Sequence, residues 1–300
     1  MRRICRKNFL LSYSETPTAE ISDASLREAG VKLLLKREDL NHSLVSGNKW
    51  WKLKYNLREA VRQGHNTLLT FGGAYSNHIY ATAAAARESN FKSIGIIRGE
   101  RTLPLNPTLQ FALDQGMQFH YVSRGSYREK ETPAFQKKLR DQFGDFYLIP
   151  EGGTNELALK GCEEFGSMLN SMAADYICLP VGTGGTMAGI VKSISPGTTV
   201  LGFAVLKDAG SLEPKIRMLI GGSVDAKWKV VTDYAYGGYA KRSDVVTKFT
   251  RTFLERTNVP LDFVYTGKMM CAIFDMIGKG FFQKGATILA IHTGGMQGHS

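Results

Sequence analysis

From about residue 65 onward, short apolar runs alternate with helix-like segments, and the changeovers fall at glycine or polar turns. "TLLTF" (67–71) runs into two glycines and then the Ala-rich "SNHIYATAAAARES" (76–89). "SIGIIRG" (93–99), "QFHYVS" (118–123) and "FYLIP" (146–150) read as strands, separated by helical "TLQFALDQG" (108–116) and a charged helix over 126–143. Strand-helix-strand order requires crossovers, which predict parallel sheet covered on both faces. The scheme restarts after "EGGTN" (151–155), with a helix over 156–171, the strand "DYICLP" (175–180), a Gly-rich turn, a helix, and "TVLGFAVL" (199–206). It closes on the strand "TILAIHT" (287–293). Two such series predict an α/β protein of two open twisted domains with largely parallel sheets. The smaller is placed at 47–160 and the larger at 1–46 plus 161–300. A site is expected in the cleft between them, at the carboxyl ends of the strands.

Composition narrows the partners. The net charge of +11 raises nucleic acid as a ligand, but basic residues are scattered among acidic ones. The densest stretch, 32–62, holds eight Lys/Arg against three Asp/Glu, and it coincides with the best candidate site. Nucleic acid is therefore not expected as a partner. Cys5, Cys162, Cys178 and Cys271 show neither C-x-x-C nor zinc-ligand spacing, so they read as reduced thiols, mostly buried, and no metal site is expected. The apolar run "FLL" near the start is too short for a signal sequence, and no stretch approaches the ~18 apolar residues of a membrane span. A cytoplasmic protein without membrane contact is expected.

Three segments carry candidate chemistry. In "VGTGGTMAGI" (181–190), Gly182, Gly184 and Gly185 let backbone N–H groups turn inward at a helix start, and Thr183 and Thr186 add hydroxyls. A tight strand-to-helix turn is the plain alternative, but three glycines exceed what a turn needs. In "FGGAYSNH" (71–78), Ser76, Asn77 and His78 lie where a strand passes into a helix, suited to a carboxylate or ring hydroxyl, or simply to an N-cap. In "SGNKWWK" (46–52), Asn48 or Ser46 can cap a helix with an apolar stripe at Trp50, Leu53 and Leu57. Lys49 then sits in the first turn, where the helix dipole and the nearby tryptophans should lower its pKa and make it a nucleophile. Taken by itself, an ordinary basic residue at a helix start is the simpler account of it. "FVYTGKMM" (263–270), "AIHTGGMQG" (290–298) and Tyr239 in "YAYGGYAK" are not diagnostic singly, and His292 reads as a packed strand residue.

Together the lysine, the phosphate cup and the Ser-Asn loop are the three fittings that pyridoxal 5'-phosphate needs. Here the sequence resembles the 1-aminocyclopropane-1-carboxylate deaminase / D-cysteine desulfhydrase family, within the tryptophan synthase β-like, fold type II, pyridoxal-phosphate enzymes. The likeness runs from "ETPTAEI" (15–21) through "KREDL" (36–40), "SGNKWWKL", "GGAYSNH", "IPEGGTN", "VGTGGTMAG" and "VYTGKMM" to "IHTGG", nearly the whole chain. The resemblance implies that Lys49 holds the cofactor's aldehyde carbon and later moves the α-proton. It implies that Asn77 meets the ring hydroxyl, that Gly182, Thr183, Gly184, Gly185 and Thr186 hold the phosphate, and that Ser76, with Asn77 and His78, contacts the substrate. Tyr265, with Tyr239 opposite, would act over the substrate, and Lys52 would help the charge balance. The Trp50–Trp51 pair is unusual for the family and is expected to narrow the pocket. A homodimer is implied by the same likeness.

Two positions separate the branches of that family. Deaminases resemble one another in an acidic residue after the active tyrosine and a leucine before the final Gly-Gly, where this chain has Thr266 and Thr293. Threonine hydroxyls beside the ring nitrogen imply a weaker electron sink than a carboxylate does. Expulsion of a thiolate, whose thiol ionises near ~8.5, tolerates that sink better than opening a cyclopropane. The expected activity is β-elimination from a small amino acid, D-cysteine to pyruvate, ammonia and sulfide. The alternatives are 1-aminocyclopropane-1-carboxylate deamination and a non-catalytic basic binding protein on the same fold.

Overall fold

The computed structural model describes residues 11–206, 210–238, 241 and 243–296. Cys5 and Tyr239 lie outside them. The first half runs β1 (Thr18–Ile21), α1 (Ala24–Ala29), β2 (Lys32–Lys36), α2 (Asn48–Arg62), β3 (Thr67–Gly73), α3 (Asn77–Glu88), β4 (Lys92–Arg98), α4 (Pro107–Asp114), β5 (Met117–Val122), α5 (Arg124–Arg128), α6 (Pro133–Phe143) and β6 (Tyr147–Ile149). The second runs α7 (Glu156–Leu169), β7 (Tyr176–Val181), α8 (Gly185–Ser193), β8 (Thr199–Ala204), α9 (Leu212–Ile220), β9 (Lys227–Val231), α10 (Asp244–Thr257), α11 (Thr266–Gly278) and β10 (Thr287–Ile291). One sheet has the order β1-β2-β10-β7-β8-β9, the other β5-β4-β3-β6. All pairs are parallel except β1 with β2. The mixed α/β architecture expected from the alternating runs is therefore present.

The central strands are apolar on both faces because helices cover both faces. Buried Leu289 and Leu179 face the cluster under α7 and α8, while Ile288, Ala290 and Cys178 face the one under α11. The second sheet has its own clusters, among them Leu68 with the alanines of α3 and Leu53 and Leu57 of α2. Local caps set the helix starts. Ser76, Asn106, Thr132 and Asn155 each accept from backbone N–H groups of the helix they open. The single helix expected over 126–143 is broken into α5 and α6, because Pro133 at the first turn with Thr132 as its cap starts a new helix.

α2 departs from the expected capping. Neither Ser46 nor Asn48 caps it. Gly47 does, with φ 68°, and a side chain there would start 1.9 Å from the Thr293 carbonyl oxygen. The approach to this cap is fixed by buried Glu38. Its carboxylate accepts from Trp51 Nε1 at 2.7 Å, Thr16 Oγ1 at 2.6 Å and Asn41 Nδ2 at 3.0 Å, while its carbonyl accepts from Gly47 N–H. Trp51 stacks on Phe165 of α7, with centroids 5.2 Å apart. Trp50 and Trp51 thus fill the core beneath α7 and α8, and neither is among the residues lining the cavity described below, contrary to the expected narrowing. A side chain on Gly161 of α7 would begin 2.0 Å from the Trp51 carbonyl oxygen, so the α2–α7 contact admits no added methyl. Gly161→Ala is expected to destabilise the protein by about 1–3 kcal/mol, as overpacking does, and a denaturant titration checks this.

Candidate active site

The carboxyl ends of β3, β4, β6 and β7 and the segment after β10 converge with the first turn of α2 on one cavity of about 310 Å³. Among the described residues its lining carries four cations, Lys49, Lys52, Arg98 and Lys215, against one carboxylate, Glu151. Lys49 and Lys52 lie three residues apart on α2, hence on one face. Among the described residues, the hydrogen bond of Lys49 Nζ is a long one, 3.4 Å to Asn48 Oδ1. Enclosure lowers its pKa to about 7, with the Lys52 charge the next cause. The tryptophans invoked from the sequence do not line the cavity.

Lys52 is 1% exposed. Its ammonium donates to the Gly152 carbonyl at 2.7 Å, Thr154 Oγ1 at 3.0 Å and Thr183 Oγ1 at 3.3 Å. It lies 3.3 Å from where a side chain on Gly185, the first residue of α8, would begin. Burial pulls its pKa to about 8. A buried cation at the positive end of a helix is unfavourable unless an anion completes the site. That arrangement fits a phosphate, held by the 182–186 turn and Lys52 together. Thr183 Oγ1 is 2.8 Å from Thr154 Oγ1, and Thr186 Oγ1 accepts from Asn48 Nδ2 at 2.9 Å, so the cup is tied to the loop after β6 and to α2. The sequence offered Lys52 only as a charge helper, and "EGGTN" as a boundary and a motif of the likeness without a role in the site. For Lys52 the available signal was its three-residue spacing from Lys49 on one helix.

Opposite, Ser76 Oγ accepts from the N–H groups of His78 and Ile79, which leaves its proton to donate into the cavity. Asn77 opens α3 beside it and lines the cavity. His78 also lines it, but Nε2 lies 2.8 Å from Thr70 Oγ1 and Nδ1 3.5 Å from Thr82 Oγ1. Burial, then the charges of Lys49 and Lys52, push its pKa well below the ordinary value, so the ring is neutral.

Tyr265 lines the cavity next to the cup, with Cε1 3.5 Å and Oη 3.7 Å from where a side chain on Gly182 would begin. It is held by a residue the sequence did not single out. Asp262, 3% exposed, accepts from the N–H groups of Val264, Tyr265 and Thr266 at 2.9, 2.7 and 2.8 Å, and from the Thr266 hydroxyl. Asp262 stands four residues before Thr266, a spacing that allows a carboxylate to gather a helix's first N–H groups. Thr266 is fully buried and spends its hydroxyl proton on Asp262, whereas Thr293 lines the cavity. His292 is packed as expected, with Nε2 2.8 Å from the Pro260 carbonyl. Cys162, Cys178 and Cys271 are buried free thiols, and no metal-ligand cluster is found among the described residues.

A profile of the family described as pyridoxal-phosphate dependent enzyme matches residues 10–294. A bifunctional D-cysteine desulfhydrase/1-aminocyclopropane-1-carboxylate deaminase of Arabidopsis thaliana, a mitochondrial protein, is 31% identical over 99% of this chain and 80% of its own. A D-cysteine desulfhydrase of Salmonella choleraesuis is 26% identical over 89% of this chain and 87% of its own. A crystal structure of an ACC deaminase homologue matches with a TM-score of 0.80 at 27% identity, covering 97% of this chain and 93% of that one.

Because its pKa is lowered to about 7, Lys49 is a neutral amine above that pH and an ammonium below it. Capture of pyridoxal, fixed with borohydride and read by mass, is expected to rise with pH through about 7 and then level, and to be absent from Lys49→Ala. Lys52→Met removes a neighbouring charge, so the midpoint should move upward. The same change should weaken uptake of pyridoxal phosphate relative to pyridoxal by about tenfold or more, a charge-assisted contact being lost.

Proposed function

The chain belongs to the pyridoxal-phosphate dependent enzyme family, and on that footing we propose that it is a lyase/deaminase releasing the β-substituent of a small amino acid, as D-cysteine desulfhydrases do. The observation that carries this is the pair of enclosed lysines at the mouth of the 182–186 turn, one nucleophilic and one positioned for a phosphate. In this reading Lys49 holds the cofactor's aldehyde carbon, Lys52 with the turn holds its phosphate, and Asn77 and Thr293 meet its ring. When bound there, the cofactor supplies an electron sink for the charge that develops at the substrate's Cα.

The residues of the chain do the rest. The Ser76 hydroxyl and the N-terminus of α3 bind the substrate carboxylate. Lys49, released as a neutral amine, takes the proton from Cα. The Cβ–S bond then breaks, and its electron pair leaves with sulfur as hydrosulfide. Tyr265, fixed by Asp262, stands over this bond and can hand a proton to the departing sulfur. With one water consumed, D-cysteine gives pyruvate, ammonia and hydrogen sulfide. The names and activities of the Arabidopsis and Salmonella relatives support the same class.

One observation favours 1-aminocyclopropane-1-carboxylate deamination as a second reading. The weak-sink argument supposed threonines alone near the ring nitrogen, yet Asp262 places a buried carboxylate on the Thr266 hydroxyl. That lends negative charge through Thr266, so the sink is stronger than two isolated hydroxyls would make it.

Two separate sheets support a division into a smaller domain at 47–160 and a larger one at 1–46 plus 161–300. No helix among the described residues is long and apolar enough to cross a membrane. A cytoplasmic setting is carried over from the reading of the cysteines and apolar runs, and a homodimer from the family likeness.

The protein with added cofactor is expected to show visible absorption that Lys49→Ala lacks, and Lys49→Ala should lose activity by about 10³-fold or more. D-cysteine should release sulfide and pyruvate, with little 2-oxobutyrate from 1-aminocyclopropane-1-carboxylate, and Tyr265→Phe should slow sulfide release by about 10²-fold. Release of 2-oxobutyrate without sulfide from either cysteine enantiomer would assign the second reading.

A further inference from the structure

Of the cavity's four cations, Lys215 lies close enough to Lys52 to act on its charge and so belongs to the same side, which leaves Arg98 as the one set against the opposite wall. Arg98 ends β4, opposite Gly73 of β3 in register, and lines the cavity. Its Nη2 lies 3.4 Å from where a side chain on Gly73 would begin. The guanidinium is thus set over the start of the 73–76 turn, which leads into Ser76. Arg98 is exposed at the cavity's rim, and buried Tyr127 lies beneath it, with the ring centroid 5.4 Å from Cζ, an aromatic face that favours this position of the guanidinium.

Among the described residues, no carboxylate comes within 4.0 Å of Arg98. The cavity's carboxylate, Glu151, is already engaged, accepting from the Tyr127 hydroxyl at 2.8 Å and pairing with Lys130 at 3.3 Å. Lys52 and the 182–186 turn are matched to a phosphate. The α-carboxylate has the Ser76 hydroxyl and the N-terminus of α3. Arg98 remains, a rigid fork of donors suited to a trigonal oxyanion.

We propose that Arg98 is a specificity-determining residue that binds a second anion, carried on the substrate's side chain. The preferred substrates are then small amino acids with an acidic group on or next to Cβ, and uncharged amino acids of similar size are accepted less well. This deepens the function proposed above and rests on it.

Aspartate and asparagine are nearly isosteric and differ in that charge, so they are the probes. Each enantiomer of both is titrated into the protein loaded with pyridoxal phosphate, and the change in its visible band is followed. The better-bound aspartate enantiomer is expected to bind about tenfold or more tighter than the matching asparagine, as a charge-assisted hydrogen-bond pair implies. Arg98→Gln should level the two, and Arg98→Lys should keep part of the difference. Equal binding of aspartate and asparagine to the unaltered protein overturns the proposal. So does a preference that survives Arg98→Gln, or an equal weakening of both ligands, which would mean that Arg98 reads the α-carboxylate. A protein that gains no visible band with the cofactor fails the parent function and this proposal together, whereas a coloured protein without the preference fails the role of Arg98 alone.

Discussion

Two ammonium groups set one helical turn apart and enclosed beside the positive end of α8 are the constraint around which this site is built. Gly152, Thr154 and Thr183 can solvate Lys52 with oxygen dipoles, but none of them cancels its charge. In a low-dielectric interior that deficit is large; it shows in the lowered pKa of Lys52, and an anion removes it without loss of the proton. The elements that bring this about are widely separated in sequence. α2 contributes the lysines, the segment after β6 contributes acceptors, and the turn after β7 contributes N–H groups. Their convergence follows from parallel topology, because in a parallel sheet the carboxyl ends of all strands lie on one side.

The opposite wall is governed by a different device. Asp262 is buried among three N–H groups and one hydroxyl, which satisfy its charge by hydrogen bonds. It therefore fixes the start of α11, and its charge is felt by buried Lys268. Positive charge is gathered on one wall, at Lys49 and Lys52, and a buried carboxylate stands behind another, at the start of α11. The placement of Tyr265 follows from the backbone that Asp262 holds.

Much of this was visible in the residues. The sheets were legible because strands buried on both faces show as unbroken apolar runs, and helices between them show as periodic ones. Lys49, Ser76, Asn77, Tyr265 and the 182–186 turn were found as residues of matching chemistry, and the structure brings all of them to one cavity. What stayed hidden depends on direction in space. Trp51 and Lys52 are adjacent and both buried, yet one enters an apolar core and the other an acceptor cage. No local pattern tells them apart. Arg98 read as the last residue of a strand, and its significance depends on what lies across from it on β3. Thr266 was expected at the ring, but its proton goes to Asp262, whose role is a matter of backbone geometry and not of a motif. The break between α5 and α6 was readable from Thr132–Pro133 and was overridden by the charged helical pattern around it.

α2 has a further consequence. Its first turn, Trp50 and Trp51, is packed into the core of the six-stranded sheet, whereas Leu53, Leu57 and Ala60 belong to the core of the four-stranded one. One rod is thus clamped at both ends by different bodies, with Lys49 and Lys52 at the crossing. A small rotation of one sheet against the other would sweep the Ser76 turn and Arg98 through an arc while leaving those amines nearly still, as points near a pivot are. Reactive nitrogen at the fulcrum and recognition groups on the lever make a geometry in which grip can tighten without disturbing the chemistry.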